Sequence, residues 1–450
     1  MGKKWMRIEW KRSGLLLGAA MLALLTACSA SGSKKTDQAA DDKIEKVDWD
    51  KEQAEVVFYS NNGDTVENFD IRVGNAVRKK FPNYTISYIQ SVKGKSLPEM
   101  ISSGTRFDIF FQSIGNYEAN AFPLSIEYEM SDLIKKHGVD LSRFEPTIID
   151  AIRQASGGGL FGLPIYTSNL VLFFNKSIFE KFGTSFPKNG MHWNDIMDLN
   201  KRLTRTDNGV QYFGFTHSPS HTIRMSPLSI PMANLATNKS TANRDDRWVK
   251  FLQTFFAEPF SLPGYNQFKA EKKNIPNNNT FNDDGTVAMY AYQTSYTTTL
   301  GRERKVDWDM VSLPTFPDLP SIGSQSYPSY FGITKMAKNK DAAMNVLKYM
   351  VSEEFQTSMA RIGLLPVLKD DKIMAQLGAD TDSKDKNWKA AYYNKLAPIP
   401  AKGVYDAALV TVLTKYSLEV ALGTSDINTA LRKAEEESNL KIEETLAQQK

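Results

Sequence analysis

Residues 56–63 read VVFYSNNG, four apolar or aromatic residues followed by four that favour a loop. This pattern predicts a short buried strand that ends in a loop. Downstream, Val73, Val77 and Phe81 recur at helical spacing, and Pro82 ends the predicted helix. The folded part of the chain therefore opens with a strand, a loop and a helix.

The same unit recurs immediately afterwards. Residues 84–88 alternate apolar and polar side chains, and residues 108–111 form another short apolar run after a helix predicted around 97–101. Strands that alternate with helices predict parallel pairing and an α/β sheet. In such sheets, ligands lie beyond the carboxyl ends of the strands. The polar residues in that position are Asn61, Asn62, Gln112 and Asn116.

The N-terminus has the pattern of a secretory signal. A basic segment precedes an apolar run from Gly14 to Leu25, which is too short to span a bilayer as a stable helix. The run ends in LTAC at residues 25–28, which resembles a bacterial lipobox. We therefore predict a lipoprotein signal peptide at 1–27 and a lipid, with palmitate among its chains, on Cys28.

The segment after the predicted lipid site is polar. Residues 29–42 are rich in Ser, Lys, Asp and Ala and show no apolar periodicity. Such composition predicts a flexible tether, which we assign to residues 28–53. The predicted location is the cell membrane, with the protein anchored by lipid on its extracytoplasmic face.

Length and charge limit the class of protein. The chain has 450 residues, of which about 400 follow the tether, and this is more than one typical core, so two domains are expected. The predicted signal peptide holds five of the 55 basic residues and one of the 51 acidic ones, so 50 of each remain. A near-neutral mature chain does not suggest a nucleic-acid partner. Because Cys28 is the only cysteine, no intrachain disulfide is expected.

Two local patterns resemble metal sites, and both are incomplete. His217 and His221 are four residues apart, but Pro219 lies between them and disfavours a regular helix there. Residues 380–385 begin like a calcium loop, but Lys384 stands where an oxygen ligand belongs and the required glycine is absent. We predict no metal ligand and no cofactor, and leave calcium binding at this loop open.

Catalytic motifs are weak in this sequence. It contains no recognisable local pair of glycosidase carboxylates and no Gly-x-Ser-x-Gly elbow. Paired carboxylates can also come from distant positions, so an enzyme stays an open alternative. Our prediction is that the protein is not an enzyme and has no catalytic residues.

A series of short motifs in a fixed order carries a family resemblance. They are Asp108-Ile109, Gly162-Leu163-Pro164, residues 172–176 (LFFNK), Trp193 at the start of a helix, residues 281–289 (FNDDGTVAM), Trp308-Asp309, Leu313-Pro314, residues 332–335 (GITK) and a helix after Asn339. With a lipobox in front, the series resembles the carbohydrate-type extracellular solute-binding proteins of ABC transporters, relatives of the maltose-binding protein. The resemblance spans Val56 to the C-terminus.

The resemblance implies an α/β fold of the periplasmic-binding-protein type, with two lobes and a hinge between them. The first lobe would hold residues 54–167 and 329–368. The second lobe would hold residues 168–328 and 369–450.

The resemblance also implies a set of ligand contacts between the lobes. They are Asn61, Asn62, Asp64, Gln112, Asn116, Tyr166, Ser168, Tyr292, Gln293, Tyr296 and Tyr405. Gln112 and Ser295 stand where the family's maltose binders place tryptophans, so tyrosines are expected to supply the stacking surfaces. Aromatic rings suit the C–H faces of sugars, while amides and hydroxyls pair with sugar hydroxyls.

The function that the resemblance implies is that of an extracytoplasmic solute receptor. A sugar or oligosaccharide would bind in the cleft, the lobes would close on it, and the closed form would deliver it to the membrane subunits of an ABC permease. We expect a monomer with these partners and a lipid contact to the membrane. The alternatives are a lipid-anchored secreted glycan-active enzyme, and a binder of peptides or other solutes with the same fold.

Overall fold

The computed structural model describes residues 52–303 and 305–448. The predicted signal peptide, Cys28 and nearly all of the predicted tether lie outside these residues. Two five-stranded sheets, each covered by helices, form the two lobes. The predicted α/β class with two lobes is therefore confirmed.

The central strands of the two five-stranded sheets coincide with short apolar runs. In chain order the strands are β1 (Ala54–Ser60), β2 (Tyr84–Gln90), β3 (Ile109–Ser113), β4 (Leu163–Tyr166), β5 (Leu170–Asn175), β6 (Arg205–Asp207), β7 (Val210–His217), β8 (Ala233–Asn234), β9 (Lys239–Ser240), β10 (Val287–Gln293), β11 (Trp308–Ser312), β12 (Ile322–Gln325), β13 (Ser329–Ile333) and β14 (Lys395–Ala397). The short strands β6, β8, β9 and β14 are more polar than the central ones.

Helices fill most of the intervening chain. They are α1 (Val66–Phe69), α2 (Asn75–Lys80), α3 (Leu97–Ser102), α4 (Asn116–Ala121), α5 (Ser131–Lys136), α6 (Pro146–Ala155), α7 (Lys176–Lys181), α8 (Trp193–Leu203), α9 (Pro219–Arg224), α10 (Arg247–Leu252), α11 (Glu258–Phe260), α12 (Asn266–Lys272), α13 (Asn278–Asn282), α14 (Thr297–Glu303), α15 (Lys340–Met350), α16 (Glu353–Arg361), α17 (Asp371–Met374), α18 (Asp406–Leu422) and α19 (Ile427–Ala447). Turns of π-helix at Asp70–Gly74 and Gln253–Ala257 join α1 to α2 and α10 to α11.

The first sheet has the strand order β2-β1-β3-β13-β4. The first three strands pair in parallel, as their alternation with helices predicts, with Val56 opposite Ile86 and Phe58 opposite Ile109. Strand β13 arrives from far along the chain and runs antiparallel to both of its neighbours. Because β1 and β3 are parallel neighbours, the residues after them share one edge of the sheet.

The second sheet has the strand order β11-β5-β10-β7-β6. Its central strand β10 is parallel to β7 and antiparallel to β5. The helices pack aromatic residues against it; Trp193 at the start of α8 is 2% exposed and meets the Phe255 ring at a centroid distance of 4.7 Å. The first five residues of β10 are buried in this core, and its last two, Tyr292 and Gln293, lie partly exposed at the end of the strand.

Two extended segments connect the lobes side by side. Residues 167–169 lead from β4 to β5, and residues 326–328 lead from β12 back to β13. The hydroxyls of Thr167 and Ser326 lie 2.5 Å apart, and the Tyr327 amide donates to the Ser168 carbonyl at 2.7 Å. These segments form the double connection at which a hinge is predicted.

Contacts with the first lobe continue past residue 368, where the predicted first lobe ends. Helix α17 packs on α16, and the Gly378 amide donates to the Ala360 carbonyl at 2.8 Å. Arg361 of α16 also pairs with Asp380. The lobe ranges stay a prediction.

Candidate ligand-binding cleft

Amide side chains form a network at the edge of the first sheet. Asn61, directly after β1, donates from Nδ2 to Asn120 Oδ1 at 2.8 Å, and its Oδ1 accepts from Gln112 Nε2. Gln112 Nε2 also lies 3.3 Å from the Ser60 hydroxyl. The structure therefore brings Asn61 and Gln112 together, because β1 and β3 end side by side.

A second group of polar side chains in the first lobe surrounds Asp64. Asn62 Nδ2 donates to the Asp64 carboxylate at 3.0 Å, and Arg72 lies 3.3 Å from the same carboxylate. The Tyr88 hydroxyl donates to the Asp64 carbonyl at 3.0 Å. Tyr166 lies close to this group. Burial raises the pKa of its phenol; the nearby charge of Arg72 opposes this rise, and that of Asp64 adds to it. Asn62, Asp64 and Tyr166 thus belong to one cluster.

Aromatic rings of the second lobe form a cluster at the end of β10. Tyr292 packs edge-on against Tyr296 at a centroid distance of 5.1 Å and against the His221 ring at 5.0 Å. Burial, together with the charge of Arg224, lowers the pKa of His221 to about 4. At neutral pH this ring is therefore an uncharged aromatic surface beside Tyr292.

Tyr327 connects the two sides. It lies on the second connection between the lobes, and its ring faces that of His221 at a centroid distance of 6.4 Å. The Ser113 hydroxyl donates to the Tyr327 hydroxyl at 2.9 Å, and Asn116 Nδ2 donates to Ser113 at 3.0 Å. Sequence reasoning missed Tyr327, for which the only local signal was its place beside Pro328.

A small cavity lined by Gly115, Arg224, Tyr327, Lys402 and Asp406 forms the narrow part of the cleft, and buried charged residues surround it. Glu118 on α4 is fully buried; its Oε2 accepts from the Gly115 amide at 2.6 Å, and its Oε1 has no hydrogen-bond partner among the residues that the structure describes. Burial raises the pKa of Glu118 to about 7; the Asp406 carboxylate adds to this and Lys402 opposes it. Lys402 and Asp406, from the second lobe, are also buried and lie 3.8 Å apart. Sequence reasoning missed all three residues.

The remaining predicted contacts are engaged within the protein. Ser168 and Tyr405 are 6% and 2% exposed; the Ser168 hydroxyl lies 3.0 Å from that of Thr294, and the Tyr405 hydroxyl donates to Asn238 at 3.0 Å. Tyr296 is 8% exposed. A ligand reaches these three side chains only if their surroundings move, so their role stays a prediction. Gln293, by contrast, is partly exposed at the end of β10.

An open cavity of about 280 Å³ lies between the lobes. The first lobe contributes Ile71 and Arg72, and the second contributes Thr297 and Thr298 of α14. Residues 381–383, within the loop that resembles a calcium site, form part of its wall. The cavity adjoins the Asp64 cluster through Arg72.

The two histidines do not form a pair. Pro219 begins helix α9, as proline does at a first helical position, so His217 ends strand β7 while His221 lies on the helix. His217 is buried, with Nε2 2.8 Å from the Phe255 carbonyl. Within residues 52–303 and 305–448, no group of three or more His, Cys, Asp or Glu side chains is placed to hold a metal ion. In the same residues, no helix is both long and apolar enough to cross a membrane.

Comparison of the sequence with models of known protein families finds a match. Residues 73–357 match the sequence model of the family described as bacterial extracellular solute-binding protein. This match covers more than half of the chain.

Solved structures share the fold over most of their length. An ABC substrate-binding protein from Listeria monocytogenes, in complex with cycloalternan, has a TM-score of 0.68 at 18% identity, covering 86% of this chain and 99% of its own. A sugar transporter from Rhizobium etli in an open conformation has a TM-score of 0.67 at 17% identity, covering 85% and 98%. The cyclic alpha-maltosyl-1,6-maltose binding protein from Arthrobacter globiformis has a TM-score of 0.63 at 12% identity, covering 87% and 100%. At these identities the likeness shows a common fold.

Proposed function

The chain belongs to the bacterial extracellular solute-binding protein family, and from this premise we propose that it is the receptor of an ABC importer for a sugar or oligosaccharide. The solute binds between the lobes and is delivered to the membrane subunits of a permease. Carbohydrate is favoured because three proteins of the same fold are a cycloalternan complex, a sugar transporter and a cyclic maltosyl-maltose binder.

One observation carries this proposal: Tyr327 contacts both a cluster of aromatic rings in the second lobe and polar side chains in the first lobe. Tyr292 and His221 present uncharged aromatic surface, as sugar C–H faces require. Asn61 and Asn116, both partly exposed on the other lobe, supply directed donors and acceptors for hydroxyl groups. Tyr327 and Ser113 join these two sides through one hydrogen bond.

The receptor acts outside the cytoplasm, as the family description implies, and we propose that a lipid on Cys28 anchors it to the membrane. Support for the anchor comes from the sequence alone, in the apolar run and the LTAC motif at residues 25–28. We further propose that the protein works as a monomer beside its permease.

A glycan-active enzyme is the alternative from another class, and the buried carboxylates do not favour it. Glu118 is 0% exposed and Asp406 is 2% exposed, so neither reaches a substrate in the cleft. A general acid must come within hydrogen-bond reach of the bond that it cleaves. We therefore propose binding without turnover.

A thermal-shift screen tests the proposed function. The mature protein is heated with neutral and acidic oligosaccharides and with short peptides, because a ligand specific for the native state raises Tm. We expect a rise with at least one saccharide, a one-to-one stoichiometry by calorimetry and unchanged saccharide after incubation. A rise with peptides alone would favour the peptide binder, and release of cleaved sugar would favour the enzyme.

A further inference from the structure

The narrow part of the cleft holds an arginine whose guanidinium has no hydrogen-bonded partner among the described residues. Arg224 is the last residue of α9, and in the described part of the chain its guanidinium makes no hydrogen bond or ion pair. It is partly exposed and faces the first lobe, where a Cβ atom on Gly115 would lie 3.9 Å from Arg224 Nη1. Gly115 has a φ of +80°, which favours glycine and keeps this approach open.

The carboxylates near Arg224 have other partners. Asp406 lies 3.8 Å from Lys402, so these two charges offset each other. Glu118 accepts a hydrogen bond from the Gly115 amide, and burial raises the pKa of its carboxyl to about 7. Arg224 also lies close enough to Asp406 to oppose the rise in the pKa of that carboxyl, so two cations, Lys402 and Arg224, share Asp406 and a partly ionised Glu118.

The cavity beside Arg224 accepts a small group and no sugar ring. Its volume is about 10 Å³, and its lining includes Gly115, Arg224, Tyr327, Lys402 and Asp406. This is room for roughly one water-sized group, such as one oxygen of a carboxylate whose second oxygen stays outside the cavity. Tyr327 also faces the His221 ring, so the cavity adjoins the aromatic cluster formed by Tyr292, His221 and Tyr327.

We propose that the bound saccharide is acidic and that Arg224 binds its carboxylate while the sugar ring lies against the aromatic cluster. A guanidinium matches a carboxylate with two parallel hydrogen bonds. A partly desolvated cation is costly without a counter-ion, and a uronate supplies one where a neutral sugar does not. This assignment deepens the proposed function and rests on it.

The test compares saccharides that differ only in the carboxylate. Calorimetric titration at physiological ionic strength uses three pairs: digalacturonate with digalactose, dimannuronate with mannobiose, and a glucuronate-containing disaccharide with its glucose counterpart. We expect the acidic member of at least one pair to bind at least tenfold more tightly than its neutral partner.

Variants assign the preference to one side chain. Arg224→Gln should lower affinity for the acidic sugar at least tenfold and change affinity for any neutral sugar less than twofold. The affinity of Arg224→Lys for the acidic sugar should lie between those of the wild type and Arg224→Gln. Lysine keeps the positive charge but lacks the two parallel hydrogen-bond donors of the guanidinium. The matched control is Arg244→Gln, which removes a 72%-exposed arginine paired with Glu435 and should leave binding unchanged.

The outcomes separate the two proposals. If the neutral sugar binds as tightly as its acidic partner in every pair that binds, the assignment is overturned and the receptor function stays intact. An acidic preference that survives in a folded Arg224→Gln protein, as judged by circular dichroism, would also overturn it. If neither member of any pair binds, and the wider saccharide screen is also negative, the carbohydrate function itself fails.

Discussion

The Ser113 hydroxyl donates a hydrogen bond of 2.9 Å to the Tyr327 hydroxyl. Ser113 is the last residue of β3 in the first lobe, and Tyr327 lies on the second connection between the lobes. This bond adds to the backbone hydrogen bond from the Ile114 amide to the Pro328 carbonyl at 2.9 Å, and together they hold the connecting segment to the end of β3, beside the amide network.

The first prediction concerns this bond. Tyr327→Phe keeps the ring and removes the hydroxyl, so the free energy of unfolding should fall by about 0.5–1.5 kcal/mol. Ser113→Ala should have a similar effect, and the double variant should cost less than the sum of the two. Urea denaturation of all four proteins gives the coupling energy. Additive losses would mean that the two hydroxyls do not interact in solution.

The second prediction concerns the aromatic side of the cleft. Tyr292→Ala should weaken saccharide binding by roughly 1 kcal/mol or more, about fivefold, because it removes a stacking surface. Tyr292→Phe keeps the ring and should bind nearly as well as the wild type. Tyr393→Ala, at a tyrosine that is 55% exposed, is the control for loss of a ring elsewhere. Calorimetry and circular dichroism are run together; normal binding by a folded Tyr292→Ala protein would place the ligand elsewhere.

The third prediction concerns pH. Burial raises the pKa of Glu118 to about 7, so between pH 4.5 and 7 the folded protein holds a proton that the unfolded chain releases. The free energy of unfolding should therefore fall as pH rises through this window, by on the order of 3 kcal/mol at most from this group.

Glu118→Gln isolates that effect. The amide oxygen can still accept from the Gly115 amide, and the side chain no longer ionises. Urea denaturation from pH 5 to 8 should show a smaller decline in this variant, with the two proteins differing most at pH 8. Parallel pH profiles would contradict the raised pKa.

The fourth prediction concerns the membrane anchor. Cys28→Ser should yield a protein without lipid, found in the medium or as an uncleaved precursor, because the thiol that accepts the lipid is gone. Mass spectrometry of the mature N-terminus and membrane fractionation provide the measurement. A wild-type N-terminus without lipid, downstream of Cys28, would refute the anchor.

The fifth prediction concerns closure. The cavity of about 280 Å³ lies between residues of both lobes, so a ligand that contacts both sides should draw them together. Small-angle scattering should give a smaller radius of gyration with a saturating saccharide than without it. An unchanged radius, with binding confirmed by calorimetry, would mean that the lobes do not move.

Local patterns gave a sound prediction of the elements near the first sheet. Residues 56–63 became the end of β1 and its loop, and the parallel pairing of β1 with its neighbours followed from alternation with helices. Asn61, directly after β1, and Gln112, near the end of β3, are in contact because these strands are parallel neighbours, while their role in ligand binding stays a prediction. The spacing of His217 and His221 was less informative about local structure. Pro219, which was expected to disfavour a helix between them, is the first residue of helix α9.

The sequence by itself determined the α/β class, the family and the residue types after each strand, because periodicity and motif order are properties of consecutive residues. Only the tertiary structure decided which distant side chains meet. Glu118, Arg224 and Lys402 are far apart in the chain, and nothing local marks them as neighbours. Their proximity depends on how the lobes pack, and the raised pKa of Glu118 depends on the water that this packing removes.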